Sequence, residues 1–232
     1  MRRKFGYGGR ERYKLSTSPV NLPAWFQDIP QGVLGQKVVL IKPGKAIFGQ
    51  GDECSRVYYL NRGIVKLSTL SPQGKSAVVS ILGPGDLIGV ECLTGEKTHQ
   101  TTATALVQST AVRMRSAVLM RLLRERPPTA TQFIDYLLKR YVRVERDLIN
   151  YLLNTSEKRL ARALLLLDRY SREVDPSILE TITQDTLADI VGTTRSRVNF
   201  FMNGFRKKGY ISYDNYERGL KINPSLEQVF QS

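Results

Sequence analysis

Histidine and cysteine are nearly missing from this chain: 232 residues include one His and two Cys, Cys54 and Cys92. One His excludes the multi-histidine metal sites of many hydrolases and oxygenases. Two Cys cannot staple a chain of this size, do not stand at metal-ligand spacing, and fall short of the roughly four ligands of an iron–sulfur cluster. Two reduced, partly buried thiols are therefore expected, with a redox pair as the alternative. Long apolar runs are absent too, so nothing approaches the ~18–20 residues of a membrane-spanning helix. The basic N-terminus has no apolar stretch of ~7–15 residues behind it, and no secretory leader is expected. These absences describe a cytoplasmic protein without membrane, metal or cofactor.

Negative charge is the next shortage. Against 35 Lys+Arg stand 21 Asp+Glu, giving a formal charge of +14. Such a balance points to a polyanionic partner, nucleic acid before an anionic membrane. The excess is uneven: residues 1–140 hold 21 basic and 9 acidic side chains, residues 141–232 hold 14 and 12. Arg2, Arg3, Lys4, Arg10, Arg12 and Lys14, spaced by Gly6, Gly8 and Gly9, make residues 1–20 a basic, flexible tail. A DNA-tracking arm and a solvated tail both fit, the second more simply. Net charge therefore does not locate a binding surface.

Residues 21–126 read as short β-branched runs separated by glycine turns. Val38–Ile41, Val57–Leu60, Ile64–Leu67, Ala77–Val79, Leu87–Gly89, Ala103–Val107 and Thr110–Val112 alternate with Gly44, Gly51, Gly63, Gly74 and Gly85. Strands at this spacing predict a small antiparallel roll. Ser116–Arg126 then reads as a short helix stopped at Pro127-Pro128. From Thr129 to Leu153 neither Gly nor Pro interrupts, and Ile134, Leu137, Tyr141, Val144, Leu148 and Tyr151 recur at alternating spacings of three and four. That is a coiled-coil seam ~37 Å long. Leu138, Leu152 and Leu153 widen it, so the segment 127–154 is read as a parallel dimerisation helix that also packs on its own roll.

Residues 155–232 carry a second pattern. Asn154, with Glu157 three residues on, is expected to cap a helix from Lys158 to Tyr170, followed by a polar loop from Ser171 to Glu180. Thr183 caps a helix over Gln184–Val191, Gly192 supplies a left-handed turn, and Thr194 caps a second helix closed by Gly209. With small Ala188 at the crossing, this predicts a helix-turn-helix. A 100° wheel puts Thr194, Val198, Phe201 and Phe205 on the core side. Ser196, Asn199, Phe200, Asn203 and Lys207 lie opposite, flanked by Arg195 and Arg197. Arg reads guanine or phosphate, Asn reads adenine and Phe meets a thymine methyl, so this is the face of a recognition helix in double-stranded DNA. Tyr210–Tyr213 and Leu220–Ile222 would form a β-wing. The fold class is thus α+β: an antiparallel β-roll, a long dimerisation helix and a winged helix-turn-helix.

Together, Gly63-Ile64-Val65-Lys66, Gly83-Pro84-Gly85-Asp86-Leu87-Ile88-Gly89 and Ile182-Thr183-Gln184 through Val191-Gly192-Thr193-Thr194-Arg195 resemble the cyclic-AMP receptor protein / fumarate-nitrate regulator (CRP/FNR) family of transcription factors, over about residues 33–225. The resemblance implies a homodimer on a two-fold-symmetric site, with RNA polymerase as protein partner and Arg195 opening the recognition helix. It also exposes departures: Ser196 stands where many members place a base-reading Glu, and Phe200 where the cyclic-AMP receptor has Arg. The family's phosphate-cradling segment reads Gly89-Val90-Glu91-Cys92-Leu93 and Gln100-Thr101-Thr102-Ala103, with Thr101 in place of the phosphate-binding Arg. Gly89, Glu91, Lys97, His99, Thr101 and Thr102 are what remains of an effector pocket, and Val144 and Glu145 replace the hydroxyls that read adenine. A carboxylate beside a cyclic phosphate opposes binding. Control by cyclic AMP is not expected; action without an effector and an unidentified small molecule both stay open. A haem on His99 is disfavoured because a lone His in a polar loop is expected at the surface. The rival readings are a cyclic-nucleotide-dependent regulator, a nucleotide-sensing module of a channel or kinase, a non-specific architectural DNA binder, and a roll-type metalloenzyme, which one His does not supply.

Overall fold

The structure is a computed structural model describing residues 37–74, 76–213 and 219–230, so the basic tail lies outside the described residues. Two four-stranded antiparallel sheets face each other. One has the order β1 (Lys37–Ile41), β8 (Ser109–Arg115), β3 (Arg56–Arg62), β6 (Leu87–Ile88). The other has the order β2 (Ala46–Phe48), β7 (Thr102–Ala105), β4 (Val65–Leu70), β5 (Ser76–Leu82). The three-residue β2 was not legible in the sequence because it is too short to alternate.

Strand β3 shows how the sequence builds the layers. Val57, Tyr58, Tyr59 and Leu60 are all buried, and successive side chains of a strand point to opposite faces. Tyr58 and Leu60 enter the core between the sheets with Ile41, Phe48, Val65, Leu82, Ile88, Ala103, Ala105 and Ala111. Val57 and Tyr59 face the other way, packing with Leu87, Val112 and Met114 against helical residues Leu119, Leu122 and Phe133. A continuous apolar run in a sheet covered on both faces is the expected signature. Gly63, at φ +102°, closes the turn from β3 to β4, and a Cβ there would stand 2.6 Å from the Ser109 Cα.

Helix α1 (Ser116–Glu125) leads into the long helix α2 (Pro127–Leu153). The proline pair does more than stop α1: both prolines occupy the first turn of α2, where their missing N–H groups cost nothing. Thr129 and Phe133 anchor this end in the roll. Tyr136 Oη accepts a 2.8 Å hydrogen bond from Leu87 N, and Arg140 donates to Leu87 O.

Four helices and a hairpin follow: α3 (Ser156–Glu173), α4 (Ile178–Thr181), α5 (Gln184–Val191), α6 (Arg195–Lys207), then β9 (Ile211–Tyr213) paired with β10 (Leu220–Ile222). Two expectations shift. Thr155, not Asn154, caps α3, its hydroxyl accepting from Lys158 N at 3.4 Å. The polar loop contains the short helix α4, because Ile178 and Leu179 are buried against the same core and Asp175 ties Ser177 at its start.

That last core crosses a boundary. Leu160, Leu164, Leu167, Leu187, Val198, Phe205 and Leu226 share one cluster with Ile64 and Val107 of the roll. Ile81 and Leu106 pack on its edge. Lys66 Nζ meets Asp189 Oδ2 of α5 at 3.5 Å above this seam.

Candidate nucleic-acid interface and sensor region

The helix-turn-helix is built as its caps dictate. Thr183 Oγ1 accepts from Thr186 N at 3.1 Å, and Thr194 Oγ1 from Arg197 N at 3.3 Å. Gly192 sits at φ +69°, and a Cβ on it would lie 3.3 Å from the Tyr151 ring at the end of α2. Arg159 of α3 locks this corner, donating to Val191 O, Tyr151 O and Asn154 O while its guanidinium rests 4.7 Å from the Tyr151 ring centre.

Burial divides α6 nearly as the wheel divides it. Val198, Met202 and Phe205 are buried. Phe201, expected in the core, is only half-buried, and Arg197 lies over its ring at 5.8 Å. Met202 joins the inner side because 201 and 202 flank the line through Val198 and Phe205 by about 50° on either hand, and Phe201 still packs against the same core. Arg195, Ser196, Arg197, Asn199, Phe200, Asn203 and Lys207 are all exposed, as are the cap residues Thr183 and Thr194. Ser196, Asn199, Phe200, Asn203, Gly204 and Lys207 line a shallow open groove. Phe200 exposes 73% of its surface, a large apolar side chain held in water among polar ones. Asn199 Oδ1 accepts from Asn203 Nδ2 at 3.4 Å and from Gln184 Nε2 at 3.5 Å. Gln184, at the start of α5 and not among the residues expected on this face, thereby extends it. Arg195 pairs with Asp185 at 3.3 Å, but both side chains are about two-thirds exposed, so the pair separates at little cost.

The seam residues of α2 stay uncovered in the protomer. Ile134, Tyr141, Val144, Leu148 and Tyr151 expose half or more of their surface and Leu137 about a third. Leu138, Val142, Ile149, Leu152 and Leu153 are exposed beside them.

The segment expected to hold an effector pocket departs most from expectation. His99 is buried, not at the surface: it is 3% exposed, stacks on Phe48 with ring centres 3.5 Å apart, and its Nδ1 lies 2.7 Å from Glu91 Oε1. Gly89, at φ +79°, allows this packing, since a Cβ there would meet Arg56 O at 2.9 Å and the His99 ring at 3.3 Å. Cys54 and Cys92 are joined in a disulfide with Cα atoms 5.1 Å apart, which corrects the expectation of two thiols. They stand 38 residues apart in sequence, and only the folding of the loop before β3 onto the 3-10 turn Val90–Leu93 brings them together. Lys97 remains exposed, Thr101 is half-buried, and Thr102 Oγ1 is engaged by Gln50 N at 3.0 Å. The structure therefore gathers Gly89, Glu91 and His99 around the cysteines; Lys97 joins them only through its carbonyl, which accepts from Cys54 N at 2.9 Å, while its side chain is exposed.

A junction couples roll, long helix and α3. Asp86, 4% exposed, accepts from Gly83 N at 2.9 Å through Oδ2 and pairs through Oδ1 with Arg143 of α2. Tyr170 of α3 lies against Gly83 so closely that a Cβ would stand 2.5 Å from its ring. Burial first, and then the Asp86 charge, push the Tyr170 hydroxyl above its ordinary pKa.

Comparison with known proteins divides the chain as its elements do. Residues 38–126 match the cyclic nucleotide-binding domain, and residues 158–223 the Crp-like helix-turn-helix domain. The chain is 30% identical over 172 residues to the cyclic AMP receptor protein of Thermus thermophilus, covering 74% of this chain and 78% of that one. It is 27% identical over 194 residues to a CRP-like cAMP-activated global transcriptional regulator of Mycobacterium tuberculosis, covering 80% and 87%. The structure of FixK2 from Bradyrhizobium japonicum superposes with a TM-score of 0.69 at 18% identity, covering 84% of this chain and 96% of that one. Among the described residues no helix is long and apolar enough to cross a membrane.

Proposed function

Because the chain belongs to the CRP/FNR family of transcription regulators and carries its DNA-binding helix-turn-helix, we propose that it acts as a homodimer, in the cytoplasm, on a two-fold-symmetric DNA site without control by cyclic AMP. It is a regulator and not an enzyme, with RNA polymerase as its protein partner. The observation that carries this reading is the division of α6: Val198, Met202 and Phe205 hold the helix from behind while Arg195, Ser196, Asn199, Phe200, Asn203 and Lys207 are exposed in front. One such helix per protomer, paired through the uncovered stripe of α2, reads one half-site each. Thr183 and Thr194 set the turn, and Arg197 and Lys207 sit where they meet phosphates. The segments 21–126, 127–154 and 155–232 then serve as sensor, coupler and reader.

Independence from cyclic AMP rests on two residues. Thr101 offers no cation to a cyclic phosphate, and Val144 offers no hydroxyl to read the base. A cyclic-nucleotide-dependent regulator is the second reading, favoured by the domain match over residues 38–126.

Selection of binding sites from a random duplex pool, followed by anisotropy on the winning sequence with and without cyclic AMP, separates the two. Selective, palindromic binding that cyclic AMP leaves unchanged is expected. Binding that needs the nucleotide supports the second reading, and binding without sequence preference overturns both. On the selected site Arg195→Ala weakens binding by about 1–3 kcal/mol, as for one base-edge contact, while thermal unfolding stays unchanged. Unaltered affinity removes Arg195 from the interface.

A further inference from the structure

The cysteines, His99 and Glu91 form a cluster that nothing in the DNA-reading function uses. One ligand atom from each of Cys54, Cys92 and His99 lies within 4.8 Å of the other two. Cys54 Sγ is 3.7 Å from His99 Nδ1 and Cys92 Sγ is 4.0 Å from His99 Nε2. Two sulfurs and an imidazole form a donor set that suits zinc and its soft or borderline relatives, and it excludes magnesium and calcium.

We propose that Cys54, Cys92 and His99 form a binding site for a zinc-type divalent cation, open when the Cys54–Cys92 bond is reduced and closed when it is formed. The surroundings fit such a site. The Glu91 carboxylate, 2.7 Å from Nδ1, orients the imidazole as carboxylates do behind metal-bound histidines, fixing the N–H on Nδ1 and leaving Nε2 for the metal. Phe48 stacks on the ring and holds its plane. Cys54 Sγ is near Nδ1 while the disulfide is formed, and, lying in a half-buried loop, it is free once reduced to turn towards Nε2 and Cys92. Two thiolates on zinc stand ~3.8 Å apart, from Zn–S distances of ~2.3 Å and tetrahedral angles. Cys92 Sγ lies 3.4 Å from the Arg56 carbonyl oxygen, an acceptor waiting for the S–H of the reduced form.

The chemistry balances in two steps. A dithiol reductant exchanges with the disulfide, breaking the S–S bond, leaving two protein thiols and itself becoming a disulfide. The cation then binds as both thiols release their protons, so two thiolates and one neutral imidazole neutralise its double charge. In a reducing compartment the open form is the resident one.

Cobalt is the probe, because thiolate-to-cobalt charge transfer reports the sulfur ligands directly. The full chain is reduced with a dithiol, freed of it without air, and titrated with Co2+. One Co2+ per chain is expected, with the charge-transfer band, displaced by Zn2+. Air-oxidised protein and the Cys54→Ser and Cys92→Ser variants lose the band. Glu91→Gln keeps it but weakens affinity about 10–100-fold, the effect of removing a histidine's supporting carboxylate. Cys54 is in a half-buried loop, so Cys54→Ser folds and its melting curve verifies that. Reduced protein that takes up no stoichiometric Co2+ overturns the proposal, even where the disulfide forms and breaks reversibly. So does equal uptake by oxidised protein, or a disulfide that yields to dithiol only on unfolding.

Discussion

Replacing Leu137 and Leu148 together by Glu is expected to yield a monomer in sedimentation and to cut affinity for a two-fold DNA site by about 10²–10⁴-fold. In a parallel pair of α2 helices each of these positions faces its counterpart, so leucine contacts become carboxylate against carboxylate. Fully burying one Leu contributes about 1.5–3 kcal/mol, and with 36% of Leu137 and 55% of Leu148 left to cover, the four leucines of a dimer contribute about 3–5 kcal/mol before any repulsion. That is a large part of the ~8 kcal/mol that holds a micromolar complex. Without the dimer the second half-site is no longer reached at the high effective concentration a linked reader provides, which sets the range of the DNA effect. The protomer's own fold is not at issue, since Leu137 and Leu148 are already 36% and 55% exposed. A double variant that still sediments as a dimer places the interface elsewhere.

The second large effect is in stability. Asp86→Ala is expected to lower the unfolding free energy by about 2–3 kcal/mol in urea titration. Removing one partner of a buried ion pair costs about 3–5 kcal/mol, and the Arg143 side chain, 44% exposed, recovers part of this by turning to water. Asp86→Asn keeps an acceptor for Gly83 N and loses only the charge, so it falls between wild type and alanine. Removing the carboxylate also takes away one of the two influences that raise the Tyr170 pKa, so that hydroxyl titrates lower in Asp86→Ala. A folded-state pKa above the unfolded value means that Tyr170 contributes stability below the ordinary tyrosine pKa, and loses it as pH climbs through the raised one. Wild type therefore softens in strong alkali through Tyr170, and the variant does so less. A urea midpoint unchanged in Asp86→Ala means that the junction does not bear on folding.

What the sequence revealed follows its periodicity. The roll, the uninterrupted helix and the two capped helices were legible because glycine turns, three-and-four spacing and Thr caps are local signals. Met202 is buried beside half-buried Phe201 because the two flank the line from Val198 to Phe205, and a wheel that takes only one of them draws the core side too narrowly. Pro127 both stops α1 and opens α2, and the uninterrupted apolar pattern that marks α2 in the sequence starts only at Thr129 because a proline carries no periodic signal of its own. The cysteine pair and buried His99 were unreadable for a different reason. Cys54, Cys92 and His99 meet only after the roll has closed, and spacing along the chain carries no trace of that. Asp86 was part of a quoted motif, yet its partner Arg143 lies 57 residues away on another element.

The apolar seam joining Ile64, Ile81, Leu106 and Val107 to the helices of the reader has an evolutionary consequence. A regulator whose parts touched only through a linker could exchange its DNA-reading module with a relative's by a single crossover. Here the surface of the roll and the underside of α3 and α5 form one packed interior, with Lys66 matched to Asp189 at its rim. An incoming module that lacked complementary residues would leave the roll with an open apolar face. New operator preferences therefore arise more easily by substitution along the free side of α6 than by swapping the module that bears it.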